Sequence, residues 1–256
     1  MTNAQEAARP VALVTGVGRT IGIGAGIARG LAADGWDVAC TFWSPYDARM
    51  DWGVEAGARA AIAEDLAGHG AATVAVEADL ADPDTPARVF DEVERRLGGV
   101  TALVMCHCES VASGLLDTSV ESFDRHFAVN ARATWLLIRE YGRRFTGAKG
   151  TGRVVALTSD HTVGNLPYGA SKGALDRITQ AAAHELAHLG VSANAVNPGP
   201  IDTGWMSEEG RARWSGMTPL GRLGTPRDTA DLVTFLCSPQ GGWINGQLLL
   251  SNGGFA

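Results

Sequence analysis

The sequence predicts one α/β domain built on a doubly wound, parallel sheet of seven strands with helices on both faces. Three observations predict it: seven short, nearly all-apolar runs, longer helical patterns between them, and a length of 256 residues with 45% apolar content, which suits a single packed core. Strands that are covered on both faces are apolar throughout, and their alternation with helices implies right-handed crossovers between parallel strands.

The elements follow one another in regular order. The predicted strands are 11–15, 37–42, 72–77, 101–105, 153–159, 191–196 and 246–251. The predicted helices are 23–34, 54–68, 84–97, 119–145, 167–189 and 226–237. No repeat or linker-like break interrupts this order, so we predict a flexible N-terminus over 1–9 and a single domain over 10–256. Residues 199–219 combine Gly, Pro, Trp and charges and predict a mobile substrate flap, although a solvated loop with two packed tryptophans is the alternative.

The composition argues against several classes of protein. The net charge of −7 and the lack of a dense basic cluster speak against nucleic-acid binding. No apolar run is long enough to span a bilayer, and the start lacks the features of a signal peptide, so we expect no membrane partner. The few cysteines are most simply free thiols of a cytoplasmic protein. They are Cys40, Cys106, Cys108 and Cys237.

A glycine-rich stretch follows the first predicted strand directly and opens the first helix. Its glycines are Gly16, Gly18, Gly22 and Gly24. Glycines at this point let the backbone approach a pyrophosphate, and a helix N-terminus offers free N–H groups and the positive end of its dipole. A turn glycine followed by helix-packing glycines is the structural alternative. The strand–loop–helix context favours a Rossmann-type dinucleotide site.

The ends of the second and third strands bear on the choice of dinucleotide. Asp79 follows the third strand, where a carboxylate can accept a hydrogen bond from an adenine amine or cap the next helix, for which Asp82 is better placed. Trp43 follows the second strand, and no carboxylate precedes Asp47 there. Arg19 in the glycine loop could meet a phosphate. Because an acidic residue after strand two would repel a 2′-phosphate, we expect NADP(H) to be preferred over NAD(H).

Tyr168 and Lys172 form a candidate acid–base pair. They lie four residues apart in a segment that Pro167 can begin as a helix, so they share one helix face. An ordinary tyrosine has a pKa of about 10, and a nearby ammonium together with an oxidised nicotinamide would lower that pKa. The alternative is a packed tyrosine beside a solvated lysine.

The stretch Ser159-Asp160-His161 raises a second possibility, a hydrolase with a histidine-activated serine. Adjacent Asp160 and His161 would struggle to align as orienter and base on Ser159. The sharp G-x-S-x-G turn of such hydrolases is missing as well. We therefore favour the tyrosine–lysine chemistry and expect Asp160 and His161 to lie outside it.

Six motifs occur in an order that is typical of one family. They are TGVGRTIGIG, ADLAD, AVNARA, LTSDH, YGASK and NPGPIDTGW. With these motifs the chain resembles a classical short-chain dehydrogenase/reductase over residues 10–255, close to the 3-oxoacyl-(acyl-carrier-protein) reductases. The resemblance implies an NAD(P)(H)-dependent oxidoreductase that transfers hydride between a nicotinamide and a carbonyl or secondary alcohol.

The resemblance also implies roles for individual residues. Tyr168 is the acid in reduction and the base in oxidation, and Ser159 bonds the substrate oxygen. Lys172 holds the nicotinamide ribose and lowers the Tyr168 pKa. Asn130, midway along a long helix, anchors a water that passes protons from Lys172 to solvent. The implied cofactor contacts, with Ile201 and Thr203 at the carboxamide, are Gly16, Gly18, Arg19, Ile21, Gly22, Trp43, Asp79, Leu80, Cys106, His107, Tyr168, Lys172, Pro198, Gly199, Ile201 and Thr203.

The chain departs from the family in three places. The sequence Met-Cys-His-Cys over 105–108 replaces the usual Asn-Asn-Ala-Gly turn, which packs on the cofactor and steadies the sheet, so cofactor affinity is in question. Consecutive Cys-His-Cys residues cannot surround one ion, and we predict no metal site. The glycine loop is about two residues longer than the pattern. A shorter loop between Ser159 and Tyr168 would open the pocket to a bulky or carrier-tethered carbonyl substrate.

Two other functions on this fold stay open: a non-catalytic dinucleotide-binding regulator or scaffold, and a lyase or isomerase. The retained acid–base residues favour the reductase over both. Apolar residues in the predicted flap indicate an apolar or aromatic pocket; they are Trp205, Met206, Trp214 and Met217. The helices 119–145 and 167–189 carry wide apolar faces and pair across a two-fold axis in similar proteins, so we expect a homodimer or homotetramer.

Overall fold

A computed structural model describes residues 9–255, in which seven parallel strands form one sheet in the order β3-β2-β1-β4-β5-β6-β7. The predicted flexible N-terminus therefore lies outside the described residues, apart from Arg9. The strands are β1 (Val11–Thr15), β2 (Asp37–Phe42), β3 (Thr73–Glu77), β4 (Val100–Met105), β5 (Gly152–Leu157), β6 (Val191–Asn197) and β7 (Leu248–Leu250). The predicted doubly wound, seven-stranded α/β sheet is confirmed.

Nine α-helices connect the strands of the described region. They are α1 (Ile23–Ala33), α2 (Ser44–Ala48), α3 (Ala58–Gly68), α4 (Thr85–Leu97), α5 (Val120–His126), α6 (Ala133–Arg144), α7 (Leu166–Glu185), α8 (Glu208–Met217) and α9 (Pro226–Cys237). None of them is long and apolar enough to cross a membrane.

Each central strand contributes alternate side chains to two apolar layers. Val11 and Leu13 of β1 enter a layer closed by α4, α6 and α7, whereas Ala12 and Val14 enter the layer closed by α1, α3 and α9. Burial on both faces explains why these strands read as unbroken apolar runs. Cys40 of β2 is a free thiol inside one of these layers, and burial raises its pKa to about 12.

Three predicted elements differ from the structure, and one helix is additional. The helix expected over 119–145 is two α-helices joined by a π-helical turn, Phe127–Arg132. Residues 199–219 are not irregular throughout, because Ser207 caps α8 through its hydroxyl and starts a helix there. The short helix α2 is additional. The last strand has three residues instead of six and lies at the sheet edge, where Leu248 and Leu250 stay partly exposed.

The topology leaves a crevice at the carboxyl end of the sheet. β1 pairs with β2 on one side and with β4 on the other, so the connections leaving β1 and β4 diverge in opposite directions. Open α/β sheets bind their ligands at such a switch point. The candidate site lies in this crevice.

Candidate active site

A cleft of about 1180 Å³ opens at the carboxyl ends of β1, β2, β4, β5 and β6. It gathers nearly all the residues that the sequence indicates for a cofactor, and Ser159, Tyr168 and Lys172 lie in its wall. Two of the predicted residues do not line it. Ile21 lies about half exposed beside Gly204 of the flap, and Asn130 is buried behind the wall.

The glycine loop is shaped by close backbone approaches. Gly16 has a φ of +75°, and a Cβ on it would lie 2.7 Å from the main-chain N and Cα of His107. A Cβ on Gly24 would lie 2.7 Å from the Gly16 carbonyl oxygen. Helix α1 begins after Gly22 with no side-chain cap and no acidic residue in its first turn. Its first N–H groups are therefore free to donate hydrogen bonds to an anionic ligand.

The segment between β2 and α3, residues 43–57, crosses the cleft next to this loop. On one side Asp47 approaches Gly18, where a Cβ would lie 2.5 Å from the Asp47 carboxylate. On the other side the Tyr46 hydroxyl donates to the Ser110 carbonyl at 3.5 Å, and Arg49 forms an ion pair with Glu109. This crossing segment was not predicted from the sequence.

An aromatic and cationic stack joins the crossing segment to the flap. The Arg19 guanidinium lies 4.6 Å from the centre of the Trp52 ring, and Trp52 stacks on Trp205 at 4.8 Å. Trp52 also donates to Asp47 at 2.9 Å, and Arg19 donates to the Thr203 carbonyl at 3.0 Å. Arg19 is thereby fixed at the border between the glycine loop and the flap.

The adenosine end of the predicted site lies beyond β3. Leu80 is buried, and Asp79 accepts the Ala81 N–H at 3.0 Å while lying 3.9 Å from Arg125. Asp82 accepts the Asp84 N–H at 3.0 Å at the start of α4. The N-cap of α4 is Asp84, which has no side-chain capping bond, so the expected capping by Asp82 is not formed, and the Asp79 carboxylate stays in the cleft wall beside Trp43.

Tyr168 and Lys172 converge with the end of β5. Lys172 Nζ lies 5.7 Å from the centre of the Tyr168 ring and donates to the Leu157 carbonyl at 2.7 Å. β5 ends at Leu157, two residues earlier than predicted, so Ser159 lies in the loop beyond it. There its hydroxyl hydrogen-bonds Tyr168. The predicted acid–base geometry is therefore assembled in one place.

The predicted lowering of the Tyr168 pKa is wrong for the protein alone. Burial raises the pKa of Tyr168 well above its ordinary value, and the Ser159 hydrogen bond offsets this only in part. Burial also lowers the pKa of Lys172, whose side chain is almost fully enclosed. Desolvation penalises the charged form of each group and is the largest cause of both pKa shifts.

Asn130 lies in the π-helical turn and holds the loop after β4. Its Oδ1 accepts the Glu109 N–H at 2.7 Å, and its Nδ2 donates to the Glu109 carbonyl at 2.9 Å and to Ser171 Oγ at 2.8 Å. Ser171 belongs to α7 and donates to the Tyr168 carbonyl at 2.7 Å. Asn130 thus connects the loop after β4 to the helix that carries the acid–base pair.

The Met-Cys-His-Cys turn is well anchored. His107 contacts Thr15 at the end of β1 and Val129 in the π-helical turn. Burial raises the pKa values of the Cys106 and Cys108 thiols. Within residues 9–255 no group of three or more His, Cys, Asp or Glu side chains is arranged to hold a metal ion.

The loop after β6 forms the opposite wall. Gly199 has a φ of +66° and packs against Asn252. Pro198 and Thr203 line the cleft, and Ile201 is buried against Gly224, with which it forms an isolated parallel β-bridge. The predicted contact residues of this loop therefore face the same space as the glycine loop.

The outer part of the cleft is apolar and aromatic. Trp214 of α8 and Phe255 meet edge to face at 5.5 Å, and Met206 and Val111 lie in the same wall. The loop over 160–164 is exposed at its rim. Here the main-chain N–H of His161, not its imidazole, contacts Ser159 Oγ at 3.1 Å, so the hydrolase arrangement is not formed.

Sequence reasoning missed Arg49, Glu109 and Phe255. Glu109 is almost fully buried and pairs with both Arg49 and Arg125. A charged residue in an otherwise uncharged stretch, four positions after a buried strand, was the available signal for it. Its partner Arg49 lies 60 residues away in the chain, and no local pattern could have joined the two.

Known proteins resemble this chain over nearly its whole length. A sequence model of the family described as Enoyl-(Acyl carrier protein) reductase matches residues 16–256. An uncharacterized oxidoreductase, YjdA of Bacillus subtilis, is 35% identical over 100% of this chain and 99% of its own. NADPH-dependent aldehyde reductase 2 of Arabidopsis thaliana is 34% identical over 95% of this chain and 93% of its own. A short chain dehydrogenase from Burkholderia cenocepacia, solved in complex with NADP, superposes with a TM-score of 0.84 at 33% identity, covering 96% and 97% of the two chains.

Proposed function

The chain belongs to the classical short-chain dehydrogenase/reductase family, and from that premise we propose that it is an NADP(H)-dependent reductase of bulky apolar or carrier-tethered ketones. Membership makes it an oxidoreductase acting on carbonyl or alcohol groups with a nicotinamide cofactor. One observation carries the proposal: Ser159, Tyr168 and Lys172 meet in the cleft that the glycine loop borders.

The residues present fit a dinucleotide. The glycine loop is a cradle that a Cβ at Gly16 or Gly18 would fill, and the N-terminus of α1 has no side chain of its own to satisfy it. The glycine loop would hold the pyrophosphate, Asp79 and Leu80 the adenine end, and Pro198 to Thr203 the nicotinamide end. When bound, the cofactor supplies the hydride.

NADP(H) is favoured by the charges at the adenosine end. No carboxylate follows β2 before Asp47, and Arg19 is fixed at the glycine loop. Asp47 is the opposing charge, because its carboxylate also lies at the glycine loop. The Trp52 indole N–H engages one oxygen of that carboxylate, which reduces its repulsion of a 2′-phosphate.

Tyr168 is suited to act as an acid. Its raised pKa keeps the phenol protonated at neutral pH, so its O–H can donate to the oxygen of a ketone held by Ser159. Lys172, fixed by the Leu157 carbonyl, lies 5.7 Å from the centre of the Tyr168 ring. The protonated state of Tyr168 favours carbonyl reduction over alcohol oxidation.

The substrate class follows from the outer wall. Trp214, Phe255 and Met206 offer an apolar, aromatic surface, and the short loop over 160–164 leaves the rim open. Such a pocket suits a ketone with a bulky apolar body or one presented on a carrier. We propose the reductase over the scaffold alternative, because the altered Met-Cys-His-Cys turn is still fixed beside the glycine loop by the hydrogen bonds of His107 to Thr15 and Val129.

Assembly into a homodimer or homotetramer is part of the proposal. Trp135 of α6 is about half exposed and lies under the Arg139 guanidinium, and Phe123 of α5 is also partly exposed. Apolar side chains on neighbouring helices suit a two-fold interface. We retain the cytoplasm as the proposed location, since it suits free thiols.

Titration of the purified protein with NADPH and with NADH tests the cofactor proposal, followed by the fluorescence of the reduced nicotinamide. We expect saturable binding of both, with NADPH the tighter. Tighter binding of NADH would contradict the assigned preference, and no binding of either would contradict the function as a whole.

A further inference from the structure

His107 lies where three parts of the site meet. Its Nδ1 is 2.7 Å from Thr15 Oγ1 at the end of β1, and its Nε2 is 3.1 Å from the Val129 carbonyl in the π-helical turn. Its own backbone packs on Gly16, where a Cβ would lie 2.7 Å away. One residue of the turn after β4 therefore contacts the glycine loop through its backbone, and the end of β1 and the turn that carries Asn130 through its ring.

The hydrogen bonds around the ring run in one direction. Thr15 Oγ1 accepts the main-chain N–H groups of Cys106 at 3.2 Å and His107 at 3.4 Å. With these lone pairs engaged, the Thr15 hydroxyl proton points to Nδ1, and the ring proton is on Nε2, which donates to Val129. Burial lowers the pKa of His107 to about 3. The imidazole therefore stays neutral, in this one tautomer, throughout the neutral pH range.

The ring also reaches the acid–base group through its neighbours. Val129 precedes Asn130, and Asn130 bonds the backbone of Glu109 and the Ser171 hydroxyl of α7. Any movement of the π-helical turn relative to the glycine loop changes the position of Asn130. Through Ser171 it also changes the position of the Tyr168 backbone. A leucine at position 107 would occupy the space and keep neither hydrogen bond.

We propose that His107 is a positioning residue. It fixes the glycine loop and the π-helical turn that carries Asn130 at the spacing that cofactor binding and proton donation require. This inference rests on the proposed function for its effect on NADPH, but the fixed spacing is a property of the protein alone. The second buried histidine, His126, provides a matched control. Both of its ring nitrogens are hydrogen-bonded, to Ser122 and Val111, and its ring does not line the cleft.

The experiment compares wild type, His107→Leu, His107→Gln and His126→Leu by NADPH titration, steady-state kinetics and amide hydrogen exchange. We expect His107→Leu to weaken NADPH binding about tenfold, the factor for roughly one lost net hydrogen bond, and to lower kcat as well. Gln keeps a donor and an acceptor and should recover most of the affinity. In the protein without cofactor, exchange over 106–110 and 127–132 should rise in His107→Leu only.

The outcomes separate the two proposals. If wild type binds NADPH and folded His107→Leu binds it equally well, the positioning role is wrong. It is also wrong if His126→Leu weakens NADPH binding as much, because general destabilisation would then explain both. If wild type binds neither cofactor, the proposed function fails, and hydrogen exchange alone decides: faster exchange over both segments supports the role of His107, and unchanged exchange refutes it.

Discussion

Replacing Asn130 by alanine tests whether this side chain connects the loop after β4 to the acid–base helix. The substitution removes one acceptor and two donors that bond Glu109 N–H, the Glu109 carbonyl and Ser171. All three bonds are buried, so water cannot replace them. A buried backbone group left without its partner costs about 1–3 kcal/mol, and two such groups are left at Glu109.

The expected loss in the free energy of unfolding is therefore about 3 kcal/mol for Asn130→Ala. In a domain of this length that corresponds to a fall in Tm of roughly 6–12 °C. Circular dichroism during heating measures this, and carbonyl-dependent NADPH oxidation well below the Tm measures activity. We expect activity to fall strongly in the folded variant, because Glu109 and Tyr168 lose their shared support.

Asn194 offers a matched control. Its amide also bonds two backbone groups, the Ile244 carbonyl at 2.8 Å and the Gln247 N–H at 3.1 Å, but these bonds are only partly buried and lie away from the cleft. Asn194→Ala should cost about 1 kcal/mol and leave activity unchanged. A Tm for Asn130→Ala within a degree or two of wild type, or an activity loss equal in both variants, would refute the reasoning.

Three further predictions concern the cleft. Gly16→Ala should abolish NADPH binding and destabilise the protein by more than about 1 kcal/mol, since its φ of +75° and the contact with His107 exclude a Cβ. Gly173 has open space around it, so Gly173→Ala should leave NADPH affinity intact in the same titration. Burial raises the pKa of Tyr168, so the phenol stays protonated across neutral pH. The rate of ketone reduction should therefore not change across this range, while the rate of alcohol oxidation should rise with pH. A reduction rate that falls as the pH is raised to neutrality would contradict this. Arg19→Gln should weaken NADPH binding about tenfold more than NADH binding, the scale of one charge-assisted hydrogen bond, and equal losses for both cofactors would show that Arg19 serves only Thr203 and Trp52.

The sheet was predictable from the sequence because its strands are covered on both faces. Continuous apolar runs such as 11–15 leave little choice of structure, and the glycine-rich loop marks the crevice. Tyr168 and Lys172 were also predictable from their four-residue spacing on one helix, and Ser159 from its place at the end of the predicted strand 153–159.

Other features depend on contacts between distant residues. The apolar periodicity over 119–145 is continuous, so nothing in it marks the π-helical turn. That turn carries Asn130, whose side chain bonds Glu109, a residue on a different loop. Helix α2 is too short to show a period. The pKa of Tyr168 depends on burial, which spacing along a helix does not reveal. The pairing of Arg49 with Glu109 joins two loops across the cleft and has no local signature.

The most direct test of the central claim is ketone-dependent oxidation of NADPH by wild type and Tyr168→Phe, over a panel of aliphatic and polycyclic aromatic ketones. The buried core tyrosine variant Tyr141→Phe, which loses its bond to the Thr101 carbonyl, serves as the control. We expect turnover by wild type and Tyr141→Phe, best with bulky apolar ketones, and near-complete loss in a Tyr168→Phe protein that still binds NADPH. Turnover by Tyr168→Phe at the wild-type rate would contradict it.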